Sequence, residues 1–287
     1  SIKNAGLPWE LGIAETHQLQ IHAPRFIKRL ALLTDTLHRY DCKVFFQLFH
    51  PGREGKPQFN GGRQVISASG IVNPATGRVS HEMTREEIHG MVDKFVTGAV
   101  YAQQANADGV ELHCAHGYLL HQFLSPHSNV RTDEYGGSAE NRARFAVEAV
   151  RAIRSRLPKL PIDYKLAVRQ EEPHYGNAGV LESELGVFVP MLVDAGVTSF
   201  HVALANHSSL EDTIPPANHP YFKGQGCFLK YCDEVRQFTD KPITGVGGLN
   251  DPAFVDDQLA SGRITCAAMS RQLLADPEWP NKGAAGQ

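Results

Sequence analysis

The stretch GVELHCAHGYLLHQFLSP, residues 109–126, begins with strict alternation: Val110, Leu112 and Cys114 on one side, Glu111 and His113 on the other. That is the period of a β-strand, from about Asp108 to Cys114, with one apolar face and one face carrying ionisable groups. His116, Tyr118 and His121 follow at once, an unusual density of imidazoles in a chain with 14 histidines among 287 residues. An apolar strand face calls for a layer of helices. The opposite face then points into an interior, where a buried Glu111 needs a cationic or donating partner such as Lys165 or Arg169 on the next strand.

The flanking segments supply the helices. Upstream, Thr84 and Glu87 have the spacing of a capping box and open a helix that runs to about Ala105. Downstream, Ser138 precedes AENRARFAVEAVRAIRSRL, in which Ala146, Val150, Ile153 and Leu157 line one face. The same alternation continues in both directions. APRFIKRLALLTDTLHRYD repeats Phe26, Leu30, Leu33 and Leu37 at helical spacing and leads into a strand from about Lys43 to Phe49. Towards the C-terminus come strands near PIDYKLAVR, VTSFHVALA, PITGVGG and ITCAAMS. Between them lie helices near ESELGVFVPMLVDAG, where Pro190 predicts a kink or split, from Phe228 to Phe238, and near PAFVDDQLAS, and a short helix follows Arg271. Strands alternating with helices predict an α/β fold with a parallel sheet, a (β/α)8 TIM barrel formed by residues 1–287 as one domain. Six βα units are evident, and residues 1–23 do not read as the two strands that would complete eight.

Composition narrows the function. Net charge is −3, and the 28 basic residues are scattered, which argues against nucleic acid or an anionic membrane as partner and for a small molecule. The apolar runs fall short of the roughly 20 residues that a membrane span needs, and Ser1 opens no signal-peptide pattern, so a cytoplasmic location is expected. Homo-oligomerisation is compatible with this composition. The five cysteines form no CxxC pair and are read as packing residues.

In parallel α/β folds ligands gather at the carboxyl ends of the strands. Those ends carry Gln47 and His50; His113, His116 and Tyr118; Lys165 and Arg169; Asn206 and His207; Gly247 and Gly248; Ser270 and Arg271. The glycines, a following helix N-terminus and the fixed charge of Arg271 together suit a phosphate. A phosphate anchor on one side of the mouth and a His-His-Tyr cluster on the other predict a phosphorylated cofactor lying across the barrel.

FFQLFHPGR at 45–53 and GVELHCAHGYLLHQFLSPHSNVRTDEYGGSAENRARF at 109–145 resemble the Old Yellow Enzyme family of FMN-dependent ene-reductases, including its 2,4-dienoyl-CoA reductase branch. The likeness continues in order through GVGGL and SRQLLADP and covers nearly all of the chain. It implies a (β/α)8 barrel that carries FMN and is reduced by NADH or NADPH, acting on the activated C=C bond of an enone or unsaturated thioester. By the same resemblance Gln47 bonds the flavin pyrimidine, and Lys165 or Arg169 is the basic residue near flavin N1 and O2. Gly247, Gly248, Ser270 and Arg271 cradle the phosphate. His113 and His116 grip the substrate carbonyl, and Tyr118 delivers a proton to its α-carbon. The family has two further strands before the helix at 24–40, to which no match is seen here.

Two other readings stay open on the residues alone: a metal-dependent barrel hydrolase using Glu111, His113 and His116, and a barrel that binds flavin without catalysis. His121, His127 and the stretch RTDEYGGSAENR read as structural. His50 and Arg53 either border the site or serve a plain loop, and Phe45 and Phe49 read as core.

Overall fold

The computed structural model describes residues 2–6, 12–13, 18–168, 180–204 and 222–286. Arg169, Asn206, His207 and the specificity segment expected around 205–221 lie outside the described residues. Seven strands form one wholly parallel sheet: β1 (Ile2–Gly6), β2 (Phe45–Phe49), β5 (Gly109–Cys114), β6 (Ile162–Ala167), β7 (Ser199–Ala203), β8 (Ile243–Val246) and β9 (Cys266–Ala268), hydrogen-bonded in that order. A two-stranded ribbon, β3 (Ile66–Ser67) and β4 (His81–Glu82), stands apart in the long loop after β2. The architecture is that of a (β/α)8 barrel, with seven strands of its sheet among the described residues. Among the described residues no pairing joins β1 to β9.

The six expected strands are all present, and β1 is one more. IKNAG has no apolar alternation, so its strand character comes from pairing along the exposed edge of β2, with Ile2 opposite Phe46 and Gly6 opposite Phe49. Residues 1–23, which in sequence do not read as the two missing strands, supply one strand through that pairing.

The helices are α1 (Ile27–His38), α2 (Arg85–Gln104), α3 (Leu119–Leu124), α4 (Ala139–Arg156), α5 (Leu185–Ala195), α6 (Leu229–Arg236), α7 (Pro252–Ala260), α8 (Arg271–Ala275) and α9 (Trp279–Ala284). None of them is long and apolar enough to cross a membrane. The capping box is formed at α2: Thr84 accepts from Glu87 N–H at 3.2 Å and the Glu87 carboxylate accepts from Thr84 N–H at 2.7 Å. Replacing Thr84 by Ala is expected to cost about 1 kcal/mol, read as a lower urea midpoint with unchanged slope. α5 is not split at Pro190. The proline removes one helical hydrogen bond, while Phe188, Val189 and Leu192 remain fully buried and hold the segment against the sheet.

Register explains the two faces of the sheet. Phe46, Leu48, Val110, Leu112, Ile162, Tyr164, Leu166, Phe200 and Val202 are buried under the helix layer, where they meet Phe95, Phe145, Ile153 and Phe188 in one continuous core. The intervening residues point into the barrel. Gln47, Glu111, Asp163 and Ser199 are register partners at one level, and His113, Lys165 and His201 at the next level towards the carboxyl ends. A small apolar cluster of Ala115, Ala167 and Ala203 lies one level above them.

Candidate active site

The mouth of the barrel is shaped by a sharp turn after β5. His116 (φ 55) and Gly117 (φ 72) both adopt left-handed backbone, a strained choice for a histidine of the kind that gathers at functional sites. This turn brings Tyr118 back towards β5. Its ring centroid lies 4.8 Å from that of His113 in an edge arrangement and 5.0 Å from that of Phe49. The His116 ring sits 5.2 Å from His113. The three residues expected to form the substrate platform therefore converge, with Phe49 as their apolar floor.

His113 is 3% exposed, and its Nδ1 accepts from Ala115 N–H at 3.2 Å. That bond leaves the ring proton of the neutral imidazole on Nε2, which makes Nε2 a donor. Behind the platform, Gln122 ties two loops together. Its amide donates to Pro51 and Gly117 carbonyls at 3.0 and 2.6 Å and accepts from Ser67 Oγ and Arg53 N–H at 3.0 and 3.2 Å. His121 accepts from Gly117 N–H at 2.8 Å, a structural bond as expected. RTDEYGGSAENR likewise forms a scaffold: Arg131 is bidentate to Asp133 at 2.9 and 2.6 Å and donates to Ala68 and Met83 carbonyls at 2.9 and 2.7 Å.

Beneath the platform lies a buried charge network. Glu111 accepts from Gln47 Nε2 and is paired with His201 Nδ1 at 2.9 Å. Burial pushes the Glu111 carboxyl up, but the charge and hydrogen bond of His201, with the charge of Lys165, outweigh it and hold the group well below its ordinary range. Asp163 moves the other way: burial first, and then the neighbouring Glu111 charge, raise it well above the ordinary range. Asp163 therefore keeps its proton and accepts from Ser199 Oγ at 2.5 Å. His201 and Asp163 were missed by reading strand ends alone. Their signal was the inward parity of their strands, since each shares a register row with a residue already singled out.

Ligand atoms of Glu111, Asp163 and His201 come within 4.8 Å of one another. The hydrolase set of Glu111, His113 and His116 is not gathered in this way among the described residues, because Glu111 is turned to His201 a level deeper.

On the far side of the mouth, Gly247 (φ 117) and Gly248 (φ 64) follow β8 with backbone that only glycine adopts readily. A Cβ on Gly248 would lie 2.7 Å from the Gly224 carbonyl oxygen. Cys227 N–H donates to Gly247 O at 3.1 Å, and the charge of Arg271 reaches the Cys227 thiol, which burial pushes up. Gly247 and Arg271 thus meet around Cys227, a residue the sequence suggested only for packing. Ser270 and Arg271 are exposed. Of the two helix N-termini expected to add a favourable dipole, that of α7 is capped by Asp251, which accepts from Ala253 and Phe254 N–H at 2.9 and 3.4 Å, and that of α8 (Arg271–Ala275) carries no side-chain cap.

These residues fit a flavin. Gln47 is 1% exposed, and its Oε1 has no hydrogen-bond partner, the kind of buried acceptor that an N–H of the flavin pyrimidine would satisfy. Lys165, 3% exposed, stands level with His113 on the inner face.

Comparison with known proteins places the chain in a family. The chain is 54% identical over 214 residues to a bilirubin reductase of Clostridium symbiosum, covering 75% of this chain and 57% of that protein. It is 34% identical over 260 residues to a cinnamate reductase of Clostridium sporogenes, covering 87% of this chain and 39% of that one. Among solved structures, a complex of 2-naphthoyl-CoA reductase superposes with a TM-score of 0.87 at 27% identity, covering 97% of this chain and 43% of its counterpart. The chain thus spans roughly half the length of these relatives. Residues 8–287 match a single family throughout, and the chain belongs to the NADH:flavin oxidoreductase / NADH oxidase family.

Proposed function

We propose that this chain reduces the activated C=C bond of an α,β-unsaturated carbonyl compound or dienoyl thioester. The observation that carries this reading is the His113 geometry, a buried imidazole whose Nδ1 is engaged by Ala115 so that Nε2 donates, with Tyr118 edge-on at 4.8 Å. FMN bound here would supply hydride chemistry for the alkene, with NADH or NADPH as the electron source. Gln47 and Lys165, with Arg169 as a second candidate for the basic position, hold the flavin ring, and Gly247, Gly248, Ser270 and Arg271 hold its phosphate.

His113 and His116 donate to the substrate carbonyl oxygen and stabilise negative charge as it builds there, commonly the largest contribution to such catalysis. Tyr118 then gives its proton to the α-carbon as general acid. The relatives named for reduction of bilirubin and cinnamate support this reaction type. The test is spectral. Purified protein should show a flavin spectrum that NADH or NADPH bleaches and an enone restores. Colourless protein with chelator-sensitive hydrolysis would overturn the reading.

Tyr118→Phe is expected to leave hydride transfer in place and slow protonation by about 100-fold, the lower end for a general acid because water can substitute. Stopped-flow traces and the solvent isotope effect on turnover check this; unchanged turnover removes Tyr118 from the mechanism.

A further inference from the structure

The turn that leaves β2, HPGR at 50–53, holds a set of buried donors without acceptors. His50 is 1% exposed and its Nδ1 accepts from Gly52 N–H at 3.0 Å, so its proton sits on Nε2, and that Nε2 has no hydrogen-bond partner. Burial lowers the imidazole to about 3, which keeps it neutral and its tautomer single. Arg53 is 5% exposed, and its Nε and Nη1 are also unpartnered. Its nearest carboxylate oxygen, Glu54 Oε1, is 3.5 Å from Nε and already accepts from Asn73 Nδ2 at 2.9 Å.

Every unpartnered atom here is a donor, and one group carries a full charge. Buried donors left without acceptors are destabilising, so the turn is built around something that supplies acceptors. Next to a guanidinium that something is an anion. The open Nε and Nη1 of Arg53 lie on different edges of the guanidinium, so each offers a single charge-assisted bond to a carboxylate oxygen, and Glu54 offsets part of the positive charge, which suits a monoanion better than a phosphate dianion.

The turn is also joined to the platform. His50 O accepts from Leu119 N–H at 2.9 Å, and Arg53 N–H is bound by Gln122 at 3.2 Å. Phe49, immediately before His50, touches Tyr118 at 5.0 Å between ring centroids.

We propose that His50 and Arg53 form a carboxylate-binding subsite beside the His113–His116–Tyr118 platform and take an acidic group of the substrate, which enters through the mouth of the barrel. The proposal rests on reading that platform as the substrate site. It narrows the substrate class to unsaturated carbonyl compounds that also bear a carboxylate, or whose activating group is itself one.

The test is equilibrium binding, which needs no turnover. Calorimetry on the flavin-loaded protein compares 3-phenylpropionate with 3-phenyl-1-propanol, two saturated probes that differ in the acid group. Wild type should prefer the carboxylate by about tenfold or more, as expected for a charge-assisted pair. Arg53→Gln should abolish that preference, and Arg53→Lys, which keeps the buried charge and so protects the fold, should reduce it. Equal affinity of wild type for the two probes, a preference that survives Arg53→Gln, or tighter competition by inorganic phosphate than by acetate would each overturn the proposal. Failure of the same preparation to reduce any enone would count against the catalytic reading alone and leave the binding result standing.

Discussion

His113→Ala is expected to lower kcat by about 100- to 1000-fold, the usual effect of removing one donor to a developing oxyanion. The imidazole is fixed by burial and by the Ala115 bond, so it meets charge on the carbonyl oxygen with little reorganisation. In the proposed mechanism His116, with its strained backbone and partial exposure, is the second donor, so residual activity is expected. His113→Asn restores a donor at nearly the same depth and should recover part of the loss. Flavin absorbance per mole of protein must stay at the wild-type value in both variants, so that lost cofactor is not read as lost catalysis. A His113→Ala enzyme with wild-type kcat on an enone would remove the platform from the mechanism.

Much of this was legible in residues 109–145, because alternation there names both faces of β5 and the caps of α2 and α4 depend on local spacing. Thr84 with Glu87, and Ser138 with the Asn141 N–H at 3.3 Å, cap their helices as the pattern predicted. What escaped was non-local. β1 is a strand because β2 offers an edge to pair with, which IKNAG does not advertise. His201 pairs with Glu111 across ninety residues, and the choice of His201 rather than Lys165 as the hydrogen-bonding partner depends on register and side-chain reach. On the phosphate side, the Asp251 cap on α7 was likewise not read from the sequence. His50 and Arg53 read either as a border of the site or as a plain loop, and the burial of their unpartnered donors is not visible in the sequence.

The buried network gives the second large effect and separates two carboxyls that sequence treats alike. Glu111 is ionised opposite His201 and Lys165, so Glu111→Gln strands positive charge in the barrel. Breaking a buried pair in this way typically costs about 3–5 kcal/mol. Burial and the Glu111 charge push Asp163 towards its protonated form, which Asn mimics. Asp163→Asn should therefore match wild type near pH 7 or exceed it.

The signs of the pH dependence follow from the two directions. The folded pKa of Glu111 lies below its ordinary 4.5, so its contribution is complete above that value and is lost as pH falls through the folded pKa. The folded pKa of Asp163 lies above its ordinary 3.8, so its contribution is complete below that value and is lost as pH rises towards the folded pKa. Glu111→Gln should thus flatten the acid limb of the stability curve, whereas Asp163→Asn should lift the curve above pH 4. In Glu111→Gln, Asp163 loses the charge that helped to raise it and can ionise in place of Glu111, which limits the damage. The double variant loses that substitute and should be less stable than the sum of the single effects, by a coupling of about 1–3 kcal/mol. Urea titrations of all four proteins from about pH 2 to 8 measure this, and strict additivity would mean that the two carboxyls do not share a charge.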